Sequence, residues 1–403
     1  MSLSRYCSVI RILFVVCGAF FLMQCAIVDT FDGRYAQINR SSERARNQSI
    51  LLNIVRASRH VPLNFVAFSR VSGSTTASMG GGLPNMITGP YPIATAADKL
   101  APSITRDVTL NSTTLNGSAN ASNSFDLTVL DSKEFYQALL SPVDLPTLNF
   151  FIRQGYPHEL LYWLFAEAVR ETVGEHTTEY RNRPDETCEY TATNARCFNK
   201  LVDVAVANGL TVETKSIALT SAGKTSTEVY GRFCFDPVLG DRVRRDYSEE
   251  EFPRNLRVAD SYQPRCGSPW VLDARSSAKT GGLNDVLKFQ VADSQYGLIR
   301  YEVITRSTFG IYQFLGRILD ENATDRLRLH RRSHAEDTRL LTVMRDVGGE
   351  PCFVDLSYEG SYYCVPANGG NLTKEIFSIL AQLLALKTQT GDLAITPSVR
   401  IAP

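Results

Sequence analysis

The chain has 403 residues, 44% of them hydrophobic, and its formal net charge at pH 7 is zero. This length and hydrophobic content are sufficient for one or two sizeable cores. The even charge balance argues against nucleic acid or another acidic polymer as a partner.

Residues 1–24 have the pattern of a signal peptide. Arg5 and Arg11 precede an uncharged apolar run from Ile12 to Met23, and a short basic start before such a run is typical of export signals. Extending the run to Val28 gives 17 residues, whereas a membrane span needs ~20. An uncleaved N-terminal anchor is therefore the alternative.

The sequence predicts lipidation at Cys25. Leu22-Met23-Gln24-Cys25 resembles a bacterial lipobox, in which the cysteine receives fatty acyl chains such as palmitate and becomes the first residue. Gln24 departs from the small residue usual at that position, and an unmodified signal-peptide cysteine is the alternative. Ala26 follows the cysteine, and sorting rules of this kind then point to the outer membrane. Residues 25–41 are expected to form the lipid anchor and a tether.

Residues 42–175 are predicted to be a largely helical region. A helix is expected from Ser42 until Pro62 ends the pattern. Its apolar positions recur one helical turn apart, at Ile50, Leu51, Ile54 and Val55. Residues 132–171 also read as helical, broken at prolines, and the very apolar stretch 160–169 is expected in the core.

A Ser/Thr/Gly-rich segment at about 69–130 interrupts this region. Its composition suggests disorder at first, but small or apolar residues alternate with polar ones over 70–79 and 115–129. Period-2 alternation indicates strands. Residues 80–102 between them contain four prolines and read as a loop. We therefore predict a long two-strand excursion.

Residues 176–403 are predicted to be a disulfide-containing α+β region. Six cysteines follow the leader, and an even number beyond an export signal indicates disulfides. Nearest-neighbour pairing is the simplest of 15 possible arrangements. The alternative is zinc, but no C-x-x-C motif occurs and no histidine has ligand spacing to a cysteine. The candidates are Cys188, Cys197, Cys234, Cys266, Cys352 and Cys364.

The elements of this region mix without regular βαβ alternation, which favours an α+β fold of helices and antiparallel strands. Residues 241–257 are expected to be a charged loop, and 352–364 a hairpin turning near Glu359-Gly360. Strands are expected at 210–219, 226–235, 301–305 and 395–401. Helices are expected at 198–208, 308–319 and 375–388, the last of them capped by Thr373.

The stretches 45–57, 133–161, 305–319 and 376–401 resemble, in the same order, a family of uncharacterised envelope lipoproteins from Gram-negative bacteria. The resemblance covers most of the mature chain. It implies a lipid anchor and a Ser/Gly-rich insertion after the first helix. It implies no activity and no catalytic residues.

No catalytic residues, metal site or cofactor are predicted. The chain lacks H-E-x-x-H, G-x-S-x-G, Walker A and G-x-G-x-x-G motifs. His330 and His334 read as a solvated basic face, and His158 as a helix start. The members of a Ser/His/Asp triad are brought together by the fold, so the sequence alone does not exclude such a triad. Aromatic residues at 156–165 line either a helix core or a ligand pocket.

The leading hypothesis is a non-enzymatic outer-membrane lipoprotein with a structural or assembly role, which binds envelope proteins or itself at the periplasmic face. The alternative is a subunit of an oligomeric outer-membrane pore or export channel that contributes a β-hairpin. The segments 70–79 and 115–129 have the alternation and the length of tilted membrane strands, which need ~9–11 residues. A periplasmic hydrolase or binding protein is a third hypothesis, supported by the aromatic residues alone.

Overall fold

The computed structural model describes residues 31–80, 116–184, 197–221, 224–246, 262–270, 288–293, 297–320, 339–346, 349–388 and 399–400. In these residues, helices are mixed with antiparallel sheets. The α+β class predicted from the sequence is confirmed. The predicted signal peptide, Cys25 and Cys188 lie outside the described residues.

The described helices are α1 (Phe31–Ser58), α2 (Lys133–Leu140), α3 (Leu145–Arg153), α4 (His158–Phe165), α5 (Phe198–Ala207), α6 (Pro237–Asp246), α7 (Thr308–Asp320) and α8 (Asn371–Lys387). The described strands are β1 (Val66–Gly80), β2 (Asn116–Val129), β3 (Ala166–Val173), β4 (His176–Arg181), β5 (Leu210–Ser221), β6 (Lys224–Phe235), β7 (Tyr262–Gln263), β8 (Lys288–Asp293), β9 (Gly297–Thr305), β10 (Met344–Arg345), β11 (Cys352–Tyr358), β12 (Ser361–Pro366) and β13 (Val399–Arg400).

These strands form four sheets. The largest has the order β4-β3-β9-β8-β7, and the others are β10-β12-β11, the pair β5-β6, and β1-β2-β13. The chain divides into two compact units. The first comprises residues 1–66 and 129–393, and the second comprises residues 67–128 and 394–403.

The second unit covers most of the segment for which a two-strand excursion is predicted. β1 and β2 are neighbours in one sheet, and β13 pairs antiparallel with β2. Residues 81–115, which join β1 to β2, lie outside the described residues, so the excursion as a whole stays a prediction. In the first unit, the backbone N–H of Leu130 donates to the carbonyl oxygen of Phe65 at 2.9 Å.

α1 begins at Phe31, so the last residues of the predicted tether are helical. The apolar stripe predicted for this helix is confirmed, because its four residues are at most 1% exposed. α1 crosses α7 closely at Gly316. A Cβ atom there would lie 2.6 Å from the Cβ of Ala57, so glycine permits the approach of the two backbones.

The predicted helical region at 132–171 is corrected at its end. α4 stops at Phe165 and β3 begins at the next residue. The apolar run does not break there, and a short apolar run does not distinguish helix from strand. The predicted boundary at 175/176 falls between β3 and β4, which pair directly.

A buried arginine joins α4 to the large sheet. Arg306, 2% exposed, donates from Nη1 to the carbonyl oxygens of Trp163 (2.8 Å) and Leu164 (3.2 Å), and from Nη2 to that of Asn182 (2.9 Å). Its guanidinium lies over the Phe314 ring, 3.8 Å from the centroid. The arginine therefore satisfies backbone acceptors where the helix ends and no helical N–H follows.

The charged loop predicted at 241–257 is wrong in its first part, because Pro237–Asp246 form α6. Asp236 accepts from the Val238 N–H at 2.9 Å. A side-chain acceptor before proline at the first helical position is a helix-start signal.

Candidate functional site

A cavity of about 220 Å³ lies in the first unit, between the five-stranded sheet, α5 and the β5-β6 pair. Most of its lining is apolar. The sheet side is formed by Ala166, Val169, Glu171, Tyr262, Phe289, Val291, Ile299, Tyr301 and Val303, and the opposite side by Tyr162, Leu201, Val202, Val204, Ala205, Leu210 and Phe233.

The register of the sheet explains why these distant residues share one face. Glu171 of β3 stands opposite Tyr301 of β9, which stands opposite Phe289 of β8. Register partners point to the same side of a sheet, and successive residues point to opposite sides. Arg170 accordingly lies on the outer face, where it pairs with Glu179 at 2.9 Å.

Glu171 is the charged group in the cavity wall and is only 3% exposed. Its Oε1 accepts a hydrogen bond from the Tyr301 hydroxyl at 2.8 Å, and its Oε2 accepts one from the Tyr180 hydroxyl at 3.1 Å. These donors satisfy part of a buried carboxylate's hydrogen-bonding capacity. They also fix its orientation at one part of an otherwise apolar wall.

Aromatic rings dominate the remaining surface. Phe289 stacks on Tyr301 with centroids 5.0 Å apart, and Phe233 meets Phe289 edge-on at 6.2 Å. The Tyr162 hydroxyl donates to the Leu210 carbonyl oxygen at 2.8 Å, and burial raises the pKa of Tyr162 far above its usual range. Tyr162 therefore stays neutral and contributes its ring to the lining of the cavity.

Residues 262–270 are fastened beside the cavity. The guanidinium of Arg232 donates to Glu213 Oε1 at 2.5 Å and to the Ser268 carbonyl oxygen at 2.6 Å, and it lies 4.7 Å from the Trp270 ring centroid. The Cys234–Cys266 disulfide adds a covalent link. This segment carries Tyr262 into the cavity wall.

The second unit presents a different feature, a long strand edge. β1 is 15 residues long and β2 is 14. In the order β1-β2-β13, β1 has a neighbour on one side only within the described residues. Unpaired N–H and C=O groups along a strand edge are a template for pairing with another strand.

The structure contains two of the predicted disulfide pairings, Cys234–Cys266 and Cys352–Cys364. Cys197 is also disulfide-bonded. Its predicted partner Cys188 lies outside the described residues, as does Cys25. None of the disulfide-bonded cysteines in the described part of the chain lines the cavity.

Among the histidines that the structure describes, His158 is the one whose pKa is shifted by its surroundings. It is the first residue of α4, and its Nε2 lies 3.2 Å from Thr211 Oγ1. Burial lowers the pKa of His158 from 6.5 to about 4. His330 and His334 lie outside the described residues.

The His158 environment predicts acid sensitivity. The unfolded chain binds a proton on this residue at its ordinary pKa of 6.5, the folded chain only near pH 4. Because the unfolded state then binds more protons, stability should fall by up to about 3 kcal/mol as the pH drops through this window. Urea unfolding at pH 7 and pH 4 should show a smaller difference for His158→Gln than for wild type.

The exposed His176 provides the matched control. His176→Gln should keep the wild-type pH dependence. Equal pH dependence in His158→Gln and wild type would contradict this assignment.

No protein-family model, curated protein sequence or solved structure matches the chain. Within the described ranges, no group of three or more His, Cys, Asp or Glu side chains is placed to hold a metal ion. None of the helices described is both long and apolar enough to cross a membrane.

The cavity was not predicted from the sequence beyond its aromatic contribution from residues 156–165. Only Tyr162 of that run lines it. Glu171 lies in a stretch that the sequence predicts to be helical. In the structure this stretch is β3, where the buried Val169 and Glu171 alternate with the exposed Arg170. Tyr301 and Phe289 join it through strand pairings whose order the sequence does not specify.

Proposed function

We propose that this protein is a non-enzymatic outer-membrane lipoprotein with a structural or assembly role in the cell envelope. Acylated Cys25 ties it to the periplasmic face, and it acts through contacts with envelope proteins or with other copies of itself. The observation that carries the proposal is the free 15-residue edge of β1 among the described strands. A partner strand that adds to such an edge gains a ladder of main-chain hydrogen bonds.

The pore subunit is the second candidate, and the lengths of β1 and β2 favour it. At 15 and 14 residues, both exceed the ~9–11 residues of a tilted membrane-spanning strand. Open strand edges are not tolerated in lipid. Several copies would therefore have to pair their hairpins edge to edge in a closed ring.

Removal of residues 67–128, which contain most of β1 and β2, should abolish assembly without unfolding the first unit. In the variant, an Asn-Gly dipeptide replaces residues 67–128. Val66 and Val129 are then joined by a turn that suits a two-residue hairpin, next to the existing 2.9 Å bond between Phe65 and Leu130. We expect wild type to be oligomeric, or cross-linked to envelope proteins, and the variant to be monomeric with a Tm within about 4 °C.

Two measurements on membrane-extracted protein check this expectation. Native mass spectrometry in mild detergent gives the oligomeric state, and the intact mass gives the N-terminal residue and its acylation. A monomeric wild type without cross-linked partners would contradict the assembly role. Single-channel conductance in planar bilayers, lost in the variant, would favour the pore over a scaffold.

A further inference from the structure

We propose that the cavity in the first unit is a binding site for a small uncharged hydrophobic molecule. The inference is independent of the strand-mediated assembly role. It is based on three observations: the polar side chains of the wall are hydrogen-bonded within the protein, the other lining side chains are apolar, and half-buried residues lie along part of the lining.

The carboxylate of Glu171 is held by the protein itself. Its Oε1 accepts a hydrogen bond from the Tyr301 hydroxyl at 2.8 Å, and its Oε2 accepts one from the Tyr180 hydroxyl at 3.1 Å. A polar or charged ligand that approached this carboxylate would have to displace these donors or share their acceptors. It would also lose its hydration on entering an otherwise apolar space. These bonds therefore favour an uncharged ligand.

The hydroxyls of Tyr162 and Tyr262 are likewise engaged. Tyr162 donates to the carbonyl oxygen of Leu210 at 2.8 Å, and Tyr262 accepts from Asn208 Nδ2 at 3.2 Å. Apart from Glu171 and the tyrosines, the lining side chains are alanine, valine, leucine, isoleucine and phenylalanine. The wall thus offers a ligand mainly apolar contact, which is favourable in proportion to the apolar surface removed from water.

The exposure of the lining residues distinguishes a closed floor from an opening. Phe233 and Ile299 are 1% and 3% exposed, and they belong to the floor. Leu201 and Val204 of α5 and Val291 of β8 are half-buried, so the cavity reaches solvent beside them. A small molecule can therefore reach the floor from this side.

The volume limits the size of the ligand. An apolar cavity of about 150 Å³ in another protein binds benzene, which has six non-hydrogen atoms. In proportion, the volume of about 220 Å³ measured here accommodates about nine non-hydrogen atoms. Molecules of the size of ethylbenzene fit this limit, whereas long acyl chains and oligosaccharides exceed it.

The test measures the Tm of the full-length protein in mild detergent with three probes of similar shape. Ethylbenzene is supplied as vapour at a fixed fraction of saturation, which gives it the same thermodynamic activity in every sample whatever enters the micelles. Near saturation, the Tm of wild type should rise by at least about 3 °C, as for a ligand at about ten times its Kd. Benzylamine and benzoate carry opposite charges at pH 7. Dialysed to the same free concentration, each should raise the Tm by less than about 1 °C.

Three variants test the place of binding. Ala205→Leu fills the cavity from α5 and Val303→Phe fills it from β9, so each should reduce the rise with ethylbenzene to below about 1 °C. Ala385→Leu adds the same bulk at an exposed position of α8 outside the lining and should keep the wild-type rise. Near-UV circular dichroism without probe shows whether each variant is folded. The two filling variants alter different walls, so either one tests the site by itself.

Three results would overturn the proposal. An unchanged Tm of wild type under ethylbenzene vapour would show that the cavity takes up no such molecule. A wild-type rise in a folded filling variant would place the probe elsewhere on the protein. A rise with benzylamine or benzoate that equals or exceeds the rise with ethylbenzene would make this a site for a charged ligand.

Discussion

Replacing Arg306 by methionine should reduce the free energy of unfolding by about 4 kcal/mol. The guanidinium donates three hydrogen bonds to the carbonyl oxygens of Trp163, Leu164 and Asn182. Methionine leaves the carbonyl oxygens of Leu164 and Asn182 without these donors, whereas that of Trp163 keeps a hydrogen bond from Asn182 Nδ2 at 2.8 Å. Each unsatisfied buried polar group costs about 1–3 kcal/mol, and the loss of the contact with Phe314 adds to the effect.

The charge of Arg306 is retained at neutral pH. Burial, together with the positive charge of Arg317, lowers the pKa of Arg306 to about 9, and the negative charge of Glu167 opposes both effects. Arg306→Lys should consequently be intermediate, because a lysine keeps the charge but lacks the planar fork that reaches three carbonyls.

Urea unfolding at pH 7 measures both variants. The matched control is Arg300→Met, an exposed arginine on β9, the strand that ends immediately before Arg306. This variant should change stability by less than about 0.5 kcal/mol. A loss below about 1 kcal/mol in Arg306→Met would show that water or rearrangement satisfies these carbonyls.

The sequence predicts best those elements whose pattern is local. The stripe of α1 and the hairpin of β11 and β12 follow from residues close in the chain. In the hairpin, Glu359 and Gly360 both have positive φ and Tyr358 pairs with Ser361, as the predicted turn requires. Cys234–Cys266 and Cys352–Cys364 join cysteines that are neighbours in the sequence, where loop closure is least demanding.

The cavity depends on long-range pairing, which explains why it is not predicted. Glu171 and Tyr301 are 130 positions apart, and their contact depends on β9 pairing with β3 in one register. A shift of one residue would place them on opposite faces. No local pattern distinguishes these registers, because the pairing partner of each residue lies far away in the sequence.

Thr373 illustrates the same difference at a helix end. The sequence suggests it as the cap of the last helix, but α8 begins at Asn371. Its hydroxyl accepts instead from the Thr342 N–H at 2.7 Å. A threonine can cap a helix or accept a hydrogen bond from a distant backbone N–H. Which of these two roles it takes depends on the elements that pack beside it.

Removing the Cys234–Cys266 disulfide should cost more stability than removing Cys352–Cys364. The first closes a loop with a sequence separation of 32, the second one of 12. The loop-entropy relation gives about 4 kcal/mol for the first and about 3 kcal/mol for the second. In the double variants Cys234→Ala/Cys266→Ala and Cys352→Ala/Cys364→Ala, urea unfolding under non-reducing conditions should show this order.

The contacts of Arg232 hold the 262–270 segment in the folded protein even without the disulfide. The loss of stability in the Cys234→Ala/Cys266→Ala variant therefore reports mainly on the unfolded chain. The hydrogen bonds of Arg232 to the carbonyl oxygens of Ser268 (2.6 Å) and Pro269 (3.1 Å) hold the 262–270 segment without the disulfide, as does the bond from the Gly267 N–H to Glu213. The 262–270 segment should therefore stay in place in the cysteine variant.

Cys234 and Cys364 are both at most 1% exposed. A reversed order of the two losses would therefore show that differences in native-state packing around the two disulfides outweigh the constraint on the unfolded chain.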